Sequence, residues 1–172
     1  MSKEPSDSGI LEPLRIALRL EHEGKQFFSE AAMRCEGQLP RRTFQFLASE
    51  EDKHIEHIEQ FYQSLVDSAD AVPPVVDDAA TDERFESLRQ QLDRLRASLS
   101  PDASDLEAYQ TALQFENGAE AFYAEQAENA DKPAIREFYR WLIREEERHA
   151  ELLESCIRFV KDPAGWFRKQ DG

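Results

Sequence analysis

From Ile10 onward, apolar and small residues recur every three or four positions. Leu14, Ala17, Leu18, Gly24, Phe28 and Ala32 trace one stripe of a helix predicted from about Ile10 to Cys35. Gly37 and Pro40 close that helix and open the next, which runs to about Asp70 with Phe44, Leu47, Ile58, Phe61 and Leu65 on one face. The stretch from Ala71 to Ala80 holds Pro73 and Pro74, which lack amide donors and restrict their neighbours, so no helix continues through it. It begins a connector over residues 71–102. Within the connector, Phe85, Leu88, Leu92 and Leu95 predict a further helix from about Thr81 to Leu99, assigned to packing alone and ended by Ser100-Pro101-Asp102. A third long helix is predicted from about Ala103 to Ala130, with Tyr109, Ala112, Leu113, Ala119 and Tyr123 inward. A fourth follows from about Lys132 to Val160, with Phe138, Leu142, Leu153 and Cys156 inward and Asp162-Pro163 as its stop. Glycines are few and β-branched runs short, so the expectation is an all-α fold: two helical hairpins, over residues 10–70 and 103–160, joined by the connector.

Ionisable residues interrupt these apolar stripes at matched places. Glu21, Glu51 and His54 fall on the inner faces of the first hairpin, and Glu116, Glu146 and His149 follow each of them by 95 positions. The same offset pairs Ala17 with Ala112, Phe27 with Phe122, Arg41 with Arg136, Leu47 with Leu142 and Glu50 with Glu145, which makes the chain an internal repeat. Glu and His three positions apart on a helix project from one face, one turn apart, so both reach one ion. Two helices that each give one Glu, with two that each give Glu-x-x-His, form a dinuclear carboxylate site in a four-helix bundle. Four ionised carboxylates carry about four negative charges, which two divalent cations neutralise, and a mixed oxygen and imidazole set suits iron or manganese. Without metal, the converging carboxylates repel one another and some must take up protons. To bring the two hairpins into register, the link between them must run the length of the bundle. A helix of about 19 residues spans roughly 28 Å, the required reach.

The competing reading is a salt-bridged core, which needs basic partners at the level of the glutamates; only Lys25 and Lys53 are near in sequence. Tyr109 and Tyr123, seven positions before and after Glu116, are candidates to hydrogen-bond a ligand carboxylate or simply to pack. His22 and His57 are read as surface or rim histidines. The aromatic set that includes Phe27, Phe44, Phe46, Phe61, Phe115, Phe122, Phe138 and Trp141 is read as core rather than as an electron-transfer path. Trp166-Phe167 docks either on the bundle or on a partner chain.

The chain has 172 residues, which suits one domain, 1–172, with a substantial core. Its 36 acidic and 21 basic residues give a formal charge of −15, which disfavours nucleic acid or an anionic membrane as partner. Cys35 and Cys156 stand far apart without a Cys-x-x-Cys, so neither a disulfide framework nor a thiolate metal site is indicated. No apolar run reaches about 18 residues and the N-terminus lacks an apolar leader, so the expected location is cytoplasmic.

Four segments together resemble the rubrerythrin branch of the ferritin-like superfamily over residues 10–160. They are Ala-Leu-Arg-Leu-Glu21-His-Glu-Gly-Lys-Gln-Phe-Phe, Ala-Leu-Gln-Phe-Glu116-Asn-Gly-Ala-Glu-Ala-Phe-Tyr, Glu-Glu51-Asp-Lys-His54 and Glu-Glu146-Glu-Arg-His149. The resemblance implies an up-down-down-up four-helix bundle with a long crossover and a non-haem centre of two iron ions, with manganese or zinc as substitutes. It implies Glu21 and Glu116 as terminal ligands, Glu51 and Glu146 as bridges, and His54 and His149 as one nitrogen ligand per metal. The implied reactions are reduction of hydrogen peroxide or oxidation of ferrous iron, with dioxygen as the alternative oxidant. A non-catalytic iron-storage subunit and a helical interaction protein with a vestigial site are the alternatives. Residues Lys161 to Gly172 hold no cysteine, so the expectation is a chain without the rubredoxin module of that branch, served by an external electron donor such as a rubredoxin-like protein. The branch's additional Glu, one turn after the third-helix ligand, is replaced by Ala119, with Glu120 one residue further on. By analogy the chain forms a homodimer, and the long connector leaves room for hairpins exchanged between chains.

Overall fold

The periodicity of the sequence is realised as helices throughout a computed structural model that describes residues 8–68, 70–74, 76–98 and 102–170. In chain order these are α1 (Ser8–Arg34), α2 (Gln38–Asp67), α3 (Asp78–Ser98), α4 (Asp105–Asn129), α5 (Pro133–Lys161) and α6 (Pro163–Gln170). No strand occurs among the described residues, and no helix there is long and apolar enough to cross a membrane. The stops expected at Ser100 and Pro101, and the chain start, lie outside them.

Helices α1 and α2 pack as one antiparallel hairpin and α4 and α5 as another. Contacts between the hairpins fix their relative direction. Gly24 of α1 faces Phe115 of α4, while Glu21 reaches Tyr123, so these two helices run oppositely. Thr43 meets Cys156 and Phe61 meets Phe138, so α2 and α5 also run oppositely. The order is therefore up, down, down, up. Helix α3 carries the chain back along α2, with Arg84 at Glu50 and Arg42 at Gln91.

Most helix ends fall within three residues of expectation, and the differences have local causes. Helix α3 starts at Asp78 rather than Thr81 because the Asp77 carboxylate accepts the Ala80 amide at 3.1 Å, a helix-capping bond. Helix α6 replaces the expected stop at Asp162-Pro163. There Asp162 accepts the Gly165 amide at 2.8 Å, and Pro163 sits at the first helical position, where its missing donor costs nothing. Trp166 and Phe167 dock on the chain's own bundle, their rings edge-on to Phe159.

The core has two apolar halves. One gathers Phe28, Phe44, Leu47, Tyr109, Leu153 and Phe159 with Phe85, Leu88 and Leu92 of α3. The other gathers Leu14, Ile58, Phe61, Tyr123, Phe138 and Leu142. Between them lies a layer of buried charge, where a domain of this size would otherwise place more leucine and phenylalanine.

Candidate metal centre

Four helices supply that layer. Glu21 comes from α1, Glu51 and His54 from α2, Glu116 from α4, and Glu146 and His149 from α5, and all six are buried. One chain provides the whole set. One ligand atom each from Glu21, Glu51, His54 and Glu146 lies within 4.8 Å of the others, and the same holds for Glu51, Glu116, Glu146 and His149. Each set can hold a metal ion. Glu51 and Glu146 belong to both.

In each histidine Nδ1 faces the carboxylates. His54 Nδ1 is 2.9 Å from Glu21 Oε2 and 3.4 Å from Glu146 Oε1; His149 Nδ1 is 3.2 Å from Glu51 Oε1 and 3.4 Å from Glu116 Oε1. The two imidazoles stack with centroids 5.0 Å apart. The Tyr123 hydroxyl donates to the other oxygen of Glu21. Tyr109, its counterpart in the sequence reading, points elsewhere and packs against Phe44 in the apolar half of the core. Fourteen residues separate the two tyrosines, about four turns or 21 Å along α4, so one site layer cannot use both.

Electrostatics follow from this crowding. Burial and the neighbouring Glu51 carboxylate push the Glu21 carboxyl up to about 8, partly offset by His54. Burial and Glu146 raise Glu116 well above the carboxylate range. Burial opposes charge on His54 and His149, yet Glu21 and Glu116 respectively, helped by the other carboxylates close to each ring, outweigh it and raise both. Burial works against charge on Glu51 too, but the neighbouring Glu21 carboxyl and the two imidazoles beside it hold it below its usual range. Protons thus occupy the positions that cations would neutralise.

The donor set fits a pair of divalent cations on two further observations. Among the described residues, seven buried atoms of these six side chains have no hydrogen-bond partner: Glu51 Oε1, both oxygens of Glu116, Glu146 Oε1, His54 Nε2, and both nitrogens of His149. A buried polar atom left unpaired costs about 1–3 kcal/mol, so a core that keeps seven of them together is arranged around something else. Second, no lysine or arginine among the described residues is ion-paired to the four glutamates. Lys25 pairs with Asp52, and Lys53 with Glu50. This is the opposite of a salt-bridged core.

Basic residues instead neutralise an outer pair of buried carboxylates. Glu50 receives both Arg84 Nε and Nη2 at 3.1 Å, a forked bond, along with Lys53. Glu145, its repeat partner, pairs with Arg148 at 3.0 Å, and Arg148 also reaches Asp82 of α3. Glu145 Oε2 lies 3.6 Å from His54 Nε2. These contacts correct the assignment of the crossover helix to packing alone. It reaches the site layer through Arg84 and Asp82, and Phe85 stacks on His149 at 5.9 Å. Sequence reasoning missed this because α3 has no counterpart in the repeat. The available signal was the adjacency of Glu50 to Glu51, and of Glu145 to Glu146, in both halves.

On the opposite face, α1 and α4 approach closely at Gly24. A Cβ there would meet the Phe115 ring at 2.9 Å and the Glu51 carboxyl carbon at 3.6 Å, so the missing side chain is what lets Phe115 lie near Glu51. Glu120 is half-buried, and burial together with Glu147 and Glu146 raises its carboxyl, yet it is in neither converging set. His22 is exposed and His57 half-buried beside Trp141, as expected of rim histidines. Cys156 is buried in the core and Cys35 half-buried; neither forms a disulfide.

A family model described as the ferritin-like domain matches residues 9–157. No curated protein and no solved structure gives a significant match.

Proposed function

The chain belongs to the ferritin-like domain family, and from that premise we propose that it is a non-haem di-iron oxidoreductase of rubrerythrin type. In this reading it reduces hydrogen peroxide, or oxidises ferrous iron, at a carboxylate-bridged dinuclear site. The observation that carries the reading is the sharing of Glu51 and Glu146 between two converging four-residue sets. Glu21 and His54 would complete one metal position, and Glu116 and His149 the other. Bound iron supplies the redox chemistry, two electrons with two protons converting hydrogen peroxide to two waters.

The chain's own groups prepare the site for this. Tyr123 fixes the orientation of Glu21 through its hydroxyl. Arg84, Lys53 and Arg148 cancel the charge of Glu50 and Glu145, so the outer carboxylates add little repulsion to the inner four. Phe85 and Trp141 cover the two imidazoles and exclude water from that side. Electrons come from an external donor of the rubredoxin type. The expected homodimer keeps each site within one polypeptide. A cytoplasmic location goes with two free thiols.

Metal analysis after anaerobic iron loading, followed by peroxide consumption with an added reductant, tests the proposal. Two iron ions per chain and iron-dependent turnover are expected. Fewer than about one ion per chain would remove the dinuclear assignment, and full loading without turnover would leave the storage reading.

A further inference from the structure

One aromatic contact row leads out of the site. The Trp141 indole stands edge-on to the His54 ring, centroids 5.7 Å apart, and on its other side meets the His57 ring at 5.1 Å. His54 in turn stacks on His149. Trp141 is buried and His57 is half-buried at the rim, so the row joins the surface to both imidazoles through packed rings. The repeat-related position in the other half is Phe46, which packs on Phe85 at 4.9 Å, and Phe85 stacks on His149. The two halves therefore build similar aromatic rows. Only one contains an indole, the ring easier to oxidise by one electron.

We infer that Trp141 is the electron relay of the site, passing electrons from a donor docked near His57 to the His54 side of the centre. This rests on the dinuclear reading given above. Each passage oxidises a reduced iron–sulfur protein by one electron and delivers that electron inward, the indole being oxidised and re-reduced in transit. Among the described residues no side chain accepts from Trp141 Nε1, and the passage is an electron transfer through the indole with no proton handed to a protein base. Two passages supply the two electrons that, with two protons from solvent, take hydrogen peroxide to two waters.

The chain has two tryptophans, and the second, Trp166, lies on α6 against Phe159 and Arg96, which gives a built-in control. Anaerobic ferrous iron should quench the emission of the wild-type chain and of Trp166→Phe, and leave Trp141→Phe unquenched. Mixed with a reduced iron–sulfur protein too large to enter the bundle, the iron-loaded, peroxide-treated Trp141→Phe variant should oxidise the donor at least tenfold more slowly than wild type. Trp141→Tyr, which keeps an oxidisable ring, should recover most of the rate. Iron stoichiometry measured on every sample separates the two ideas. Equal quenching or equal donor oxidation in a fully loaded Trp141→Phe chain would overturn the relay alone, and failure of the wild type to bind iron would overturn the dinuclear reading with it.

Discussion

Raising the pH destabilises the metal-free protein, because protons hold its core together. The Glu21 carboxyl stands at about 8 in the folded chain against an ordinary 4.5. A folded-state value above the unfolded one contributes stability that is complete below pH 4.5 and is lost as pH climbs through 8. The displacement of about 3.5 units corresponds to ~5 kcal/mol at 1.36 kcal/mol per unit, a large share of the 5–15 kcal/mol of a typical domain. Glu116, His54 and His149 are raised as well, so they act in the same direction. Glu50, Glu51 and Glu145 are lowered; their contribution is present above the ordinary carboxylate value and lost only in acid. Of these shifted groups, then, only the raised ones change the stability from about pH 5.5 to about pH 8.5. Urea unfolding followed by circular dichroism, in excess chelator across that range, should show stability falling by several kcal/mol. Glu21→Gln, which cannot ionise, should reduce that fall by about 3 kcal/mol, the part of the Glu21 contribution lost between these two pH values. With two divalent cations bound the dependence reverses, since metal displaces the same protons and binds more tightly as pH rises. A metal-free chain whose stability is level or increases over this interval would refute the reasoning, as would an unaltered slope in Glu21→Gln.

Other consequences can be checked directly. Glu51→Ala or Glu146→Ala should abolish paired-metal binding while helical content stays near wild type, since each removes a shared ligand and also a repelling charge; metal analysis with circular dichroism reads both, and unchanged stoichiometry would count against the shared roles. Arg84→Ala leaves the buried Glu50 with Lys53 alone and should cost about 3 kcal/mol in urea unfolding, most of it recovered when Glu50→Gln is added. Tyr123→Phe removes the donor to Glu21 and should cost the metal-free protein about 1–3 kcal/mol, with a weaker affinity for the first metal ion by titration. Gly24→Ala must displace the Phe115 ring and should cost about 1–2 kcal/mol, measured by thermal unfolding with metal bound and removed.

The helices and the six converging residues were legible in the sequence because both rest on local rules. A 3.6-residue period places Leu14, Phe44, Tyr109 and Phe138 inward wherever the helices end up, and it places Glu51 and His54 on one face whatever they meet. The offset of 95 added the long-range fact that two such faces exist. What sequence could not decide is what lies beside each face at a distance along the chain. Tyr123 reaches Glu21 only because α1 and α4 run oppositely at the right height, and Tyr109, equally spaced from Glu116, falls in the other half of the core. Arg84, Asp82 and Phe85 reach the site layer only because the crossover helix lies back along α2. Lys53 meets Glu50 rather than Glu51 by the three-residue spacing alone, whereas the second cation on Glu50, Arg84, comes from another helix, which no spacing along one helix specifies. Periodicity fixes which side of a helix is buried, whereas the partners of a buried charge are set by packing between elements, where a shift of a few ångströms exchanges one neighbour for another.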